Sequence, residues 1–156
     1  MLRNHGEDEI FVVGRLDTAR RLHLEHLVTL IEGNAVRDWG LEESDEAIWV
    51  YDRSFDVLTL DQIPRSHMVL WPTRQALKSR KRFSMPVMEC GLEWYEWREL
   101  YPSKLKTPTA ICWGEVATHN NFVLNVGPPV FKNSAPVIKL DSSATEPDYT
   151  ILVGGA

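Results

Sequence analysis

Apolar and polar positions alternate in short blocks along this chain rather than in long sweeps. Ile10-Phe11-Val12-Val13 is an apolar run closed by Gly14, which predicts a strand. Leu16, Leu22, Leu24, Leu27 and Leu30 recur at a partly helical spacing around Asp17, an N-cap candidate, and predict a helix that Gly33 breaks. Ala47-Ile48-Trp49-Val50-Tyr51 is rich in β-branched and aromatic residues and predicts a strand; Phe55 to Leu60 is a second short strand or a loop. Pro64 disfavours helix at Ile63. Met68 to Trp71 opens an apolar patch, and Pro72 suits the first turn of a helix running on through Arg74, Lys78, Arg80, Lys81 and Arg82 until Pro86 interrupts it. Helical spacing would put Arg74, Lys78, Lys81 and Arg82 on one side of that helix.

Further along, Trp94-Tyr95-Glu96-Trp97 alternates with neither period cleanly, so strand and short helix both stay open there. Pro102 and Pro108 frame a loop. Strands are predicted at Thr109–Trp113, Asn121–Asn125 and Val130–Phe131, and near Val137–Leu140. Phe122-Val123-Leu124 and Val130-Phe131 are expected to form a hairpin turning between Asn125 and Pro129. These signals predict an α+β fold, a mixed and mainly antiparallel sheet with a few short helices. At 156 residues the chain is expected to form one domain over 1–156, or two small lobes sharing a core.

Composition narrows the class. A hydrophobic content of 44% supports a sizeable core, and no apolar stretch approaches the roughly 18 residues of a transmembrane helix. The acidic start, Glu7-Asp8-Glu9, lacks the apolar region of a signal peptide, and Cys90 and Cys112 have neither metal-ligand nor disulfide-framework spacing. A cytoplasmic protein without membrane contact is expected. The final apolar run ending in Gly154-Gly155-Ala156 suggests a chain cut from a longer one. Net charge is −5, but unevenly placed: −7 over residues 1–73, +4 over 74–106 and −2 over the remainder. A basic region on an acidic body still attracts polyanions locally.

The basic region carries the candidate chemistry. Arg74, Lys78, Arg80, Lys81 and Arg82, with Lys104 and Lys106 in the proline-framed loop, would contact phosphates, or else line a solvated face. Trp94, Tyr95, Trp97 and Tyr101 would stack on an extruded base, or else fill the core. Thr118, His119, Asn120 and Asn121 supply donors and acceptors suited to base edges, and equally suited to holding a tight turn. Arg37 would touch phosphate or pair with Asp38 or Glu32. His23 and His26 lie three apart, not four, and lack the His-Glu-x-x-His pattern of a zinc site; no metal site is expected. Cys112 with His119 lacks a nameable third group for nucleophilic catalysis.

Four pieces, in order, resemble a known family: Lys81-Arg82-Phe83, Gly91 to Glu96, Lys104 to Pro108, and Val116 to Leu124, with Ile31 to Trp39 upstream. They are similar to the target-recognition region of adenine-specific (N6) DNA methyltransferases, of the BREX/Pgl phage-exclusion type and of type II restriction-methylation fusions, over about residues 6 to 150. The resemblance implies a sequence-specific DNA-recognition domain. Its partners would be double-stranded DNA and a methyltransferase catalytic domain that uses S-adenosylmethionine. This sequence departs from the family at the hairpin turn, where Asn125, Pro128 and Pro129 replace the usual Asp and glycines. It contains no Asn/Asp-Pro-Pro-Tyr/Phe loop, since Gly127-Pro128-Pro129-Val130 lacks both flanking residues, and no Glu-x-Lys nuclease signature. No catalysis and no cofactor are therefore expected of this chain alone. From another class, the same basic and aromatic stretch suits a module that docks a partner chain or a phage-encoded antagonist.

Overall fold

Short apolar blocks give short elements. The computed structural model describes residues 7–37, 40–41, 44–98, 100, 109–114, 122–126, 130–131, 136–140, 143–145 and 147. A 3-10 turn at Glu7–Phe11 leads to β1 (Val12–Gly14), α1 (Leu16–Arg21) and β2 (Leu27–Ile31). A second 3-10 turn, Gly33–Ala35, precedes β3 (Val36–Arg37), β4 (Gly40–Leu41) and β5 (Asp45–Ile48). Next come α2 (Pro64–Leu70), a 3-10 turn at Trp71–Thr73, α3 (Arg74–Ser79), β6 (Lys81–Arg82) and β7 (Met85–Pro86). The last strands are β8 (Thr109–Trp113), β9 (Phe122–Val126), β10 (Val130–Phe131) and β11 (Val137–Ile138). The fold is α+β with mainly antiparallel strands and few short helices. No helix among the described residues is long and apolar enough to cross a membrane.

The chain divides into two compact units, Met1–Leu27 with Glu46–Leu100, and Val28–Asp45 with Tyr101–Ala156. In the first, β1 pairs antiparallel with β5, and the register shifts between Val12 and Gly14, where Gly14 takes a φ of +80°. Its core gathers Phe11, Ile48, Ile63, Leu70, Leu77 and Val87, each at most 1% exposed. The ring of Trp97 stacks on Phe11 with centroids 5.0 Å apart, and its indole N–H donates to the Ile48 carbonyl at 3.1 Å. Helix α2 starts at Pro64, whose missing N–H costs nothing at that position. Its next two N–H groups, on Arg65 and Ser66, both donate to the Glu25 carboxylate, as does the Ser66 hydroxyl at 2.8 Å. A distant carboxylate thus does the work of an N-cap side chain.

The second unit is built on β8, which pairs antiparallel with β9 from Thr109↔Val126 to Trp113↔Phe122 and with β11 through Val137↔Cys112. Ala110, Ile111 and Cys112 are buried in succession, so this strand is covered on both faces. Ile31, Val36, Cys112 and Val123 form its core with Val137 against them. Strands β3 and β4 pair antiparallel, Val36↔Leu41. Gly114 is buried so closely against Gly33 that an added Cβ would stand 2.7 Å from the Gly33 carbonyl oxygen.

Three expectations change. The leucine-spaced helix stops at Arg21, because His23 takes a left-handed φ of 51°, and the β-branched run Leu27–Ile31 becomes a strand. The basic helix ends at Ser79: Arg80 is extended (φ −60°, ψ 149°), and Lys81 and Arg82 lie in a strand. The expected hairpin strands both form, but β9 pairs with β8, while β10 runs parallel to β2 through Val130↔Leu30 and Phe131↔Ile31.

Candidate nucleic-acid interface

The basic cluster is not uniformly exposed. Arg80 is 1% exposed, and four of its five N–H groups are spoken for within the first unit. Nε donates to the Leu77 carbonyl at 3.0 Å, Nη1 to Asp8 Oδ1 at 2.7 Å, and Nη2 to the Trp94 and Glu96 carbonyls at 2.9 and 2.7 Å. Leaving the helix in extended conformation is what turns this side chain inward. A guanidinium so engaged ties three separated segments together, so Arg80, expected at a DNA contact, is held inside the fold.

Its neighbours are placed differently. Arg74, half-buried, donates from Nη1 to the Trp71 carbonyl at 2.9 Å and lies over the Trp71 ring at 4.2 Å, a cation–π geometry. Lys78 on α3 and Lys81 on β6 are exposed. Arg82 is half-buried beside the Phe83 ring, at 5.6 Å, with its Nε buried and unpartnered among the described residues. Lys78, Lys81 and Arg82 carry no ion pair among the described residues.

The aromatic block belongs to the core. Trp94 and Tyr95 are 7% and 5% exposed and meet edge to face at 5.4 Å; Trp94 also meets Trp71 at 6.1 Å. The Tyr95 hydroxyl donates to the Leu58 carbonyl at 3.0 Å. Burial, with Glu93 and Glu96 nearby, pushes the Tyr95 phenol up, and burial reinforced by Glu96 pushes the Tyr51 phenol up strongly. The segment forms turns rather than a strand or helix. Of the two alternatives for Trp94 and Tyr95, stacking on a base or filling the core, the rings occupy the core.

Arg37 lies in β3 of the second unit, half-buried. Lys104, Lys106, Thr118, His119, Asn120 and Asn121, with Tyr101, lie outside the described residues. Cys112 is fully buried, its thiol 3.6 Å from the Val123 carbonyl and pushed up to about 11 by burial, the opposite of an activated nucleophile. Among the described residues no three His, Cys, Asp or Glu side chains could hold a metal.

One residue was not singled out from the sequence as a contact. Phe83, inside the basic run, is 82% exposed, and among the described residues Met68, Trp71, Met85 and Met88 of the same stretch are exposed too. A large aromatic inside a run of cations was the available signal.

No family model matches the chain. It is similar to the adenine-specific methyltransferase PglX of Streptomyces coelicolor, 31% identical over 149 residues. The match covers 95% of this chain and 12% of that protein, so the chain spans a small segment of its relative's length.

Proposed function

We propose that this chain is a DNA target-recognition domain of an adenine-specific methyltransferase in a phage-exclusion or restriction-modification system. The observation that carries the reading is the near end-to-end similarity of the chain to a short segment of such an enzyme. A segment with neither the adenine-holding loop nor a glycine-rich turn for S-adenosylmethionine suits a reading role beside a catalytic part. In that arrangement Lys78, Lys81 and Arg82 grip phosphates and set register, and the polar residues Thr118 to Asn121 read base edges. The catalytic part binds S-adenosylmethionine and acts on the extruded adenine.

The test is fluorescence anisotropy with duplex DNA at about 50 and about 200 mM salt. Binding that weakens steeply with salt, and weakens further in a Lys78→Ala/Lys81→Ala/Arg82→Ala variant, is the expected result. Absence of binding at the lower salt overturns the reading. The exposed Met68, Trp71 and Met88 favour the second reading, a protein-docking module, in that event.

A further inference from the structure

Strands β6 and β7 form a two-residue hairpin, Lys81↔Pro86 and Arg82↔Met85, with Phe83 and Ser84 at its tip. Both tip residues have left-handed backbone, φ 49° and 70°. Two-residue hairpins favour this geometry, but they recruit asparagine and glycine for it, because other L-residues are strained there. Here the strained position carries a phenylalanine whose ring is 82% exposed. Neither the strain nor the exposure contributes to the core. Strain of this kind persists where surrounding structure enforces it.

The base of the hairpin is rigid. Arg80 is locked at one end by its buried hydrogen bonds, and Val87, 1% exposed, donates its N–H to the Arg80 carbonyl at 3.0 Å at the other. The tip is therefore held out on a fixed stem. Its nearest charged neighbours in sequence are Lys81 and Arg82, with Arg80 paired to Asp8 inside the fold and Glu89 beyond the second strand. Lys81 and Arg82 stand directly before the ring without an ion pair among the described residues, the Arg82 guanidinium 5.6 Å from the ring centroid. An apolar protein pocket would welcome the ring but not the cations; a nucleic acid accommodates both, with bases for the π face and phosphates for the charges.

We propose that this hairpin is a DNA-intruding finger: Phe83 stacks on a base at a partly opened step while Lys81 and Arg82 take flanking phosphates. The inference rests on the DNA-recognition reading above and adds a residue and a mode of contact to it. The ring makes no phosphate contact, so removing it lowers affinity without changing salt dependence, whereas removing Lys81 reduces the salt slope by about one phosphate.

The experiment uses the full chain with duplex DNA carrying 2-aminopurine, comparing wild type with Phe83→Leu, Phe83→Trp and Lys81→Ala, with melting temperatures taken alongside. Expected are a rise in 2-aminopurine fluorescence on binding of wild type and about a tenfold loss of affinity in Phe83→Leu at unchanged salt slope. The fluorescence rise should vanish in Phe83→Leu and return in Phe83→Trp, which keeps an aromatic face. Salt-dependent binding with Phe83→Leu indistinguishable from wild type overturns the finger and leaves the DNA reading standing. Absence of wild-type binding at about 50 mM salt overturns both. Equal losses in Phe83→Leu and Phe83→Trp without a fluorescence change overturn stacking.

Discussion

Arg80 is a charge inside the first unit whose energetic role follows from what its removal would strand. Truncation leaves the Trp94 and Glu96 carbonyls without their donor and Asp8 without its 2.7 Å partner. Arg80→Met should cost about 3 kcal/mol in urea unfolding, in the range for breaking a buried pair. Arg80→Lys should recover only part of it, since one ammonium cannot reach four acceptors on three segments at once. An equal stability of Arg80→Met and wild type would remove the structural assignment. In the second unit the comparable residue is Gly114. An alanine Cβ there meets the Gly33 carbonyl oxygen at 2.7 Å, and since that oxygen belongs to the backbone it cannot swing aside as a flexible side chain would. Gly114→Ala should destabilise by about 1–3 kcal/mol, and a compensating change at Gly33 cannot rescue it because glycine is already the smallest residue.

The elements depend on residues far away in sequence, and α2 gives the sharpest case. Burial opposes the charge on Glu25, but hydrogen bonds from the Arg65 N–H and the Ser66 hydroxyl and N–H outweigh it, so the carboxyl sits below its usual 4.5. A carboxyl lowered in the folded state stabilises above its unfolded value, and that contribution is lost as pH falls through the folded value. Glu25→Gln should therefore lie below wild type in melting temperature near neutral pH, by about 1 kcal/mol of cap. The gap should close as pH falls below about 4.5 and through the lowered folded value; a constant gap would mean the carboxylate charge is not what caps α2. The same dependence on distant partners limits what was legible in the sequence. Thr109–Trp113 and Phe122–Val126 could be read as strands because their β-branched runs are a local signal. The parallel pairing of β10 with β2 could not, because it joins residues about a hundred apart. Nor does any local pattern tell that Arg80, alone among five neighbouring cations, turns inward: its acceptors come from residues 8, 94 and 96. The aromatic block was legible as one of two alternatives, and the hydrogen bonds of Tyr95 and Trp97 settle it as core.

At the scale of the molecule, a net charge of −5 sets the size of any DNA affinity. An acidic body repels a polyanion at long range, and salt screens that repulsion as well as the attraction. What remains is the local count of cations free to displace counterions. With Arg74 held on Trp71 and Arg80 buried, the cluster offers three: Lys78, Lys81 and Arg82. Each phosphate neutralised contributes about −0.9 to the slope of log affinity against log salt, so three contribute about −2.7. Raising salt about fourfold should then weaken the cluster's share of binding about fortyfold. The Lys78→Ala/Lys81→Ala/Arg82→Ala variant should lose that share of the slope, while Arg80→Lys, if folded, should leave it unchanged. Five participating cations would instead give about −4.5, and a several-hundredfold loss over the same range. A slope that falls by about three units in the triple variant would therefore count Lys78, Lys81 and Arg82 as the contacting cations, and separate them from Arg80, which holds the fold.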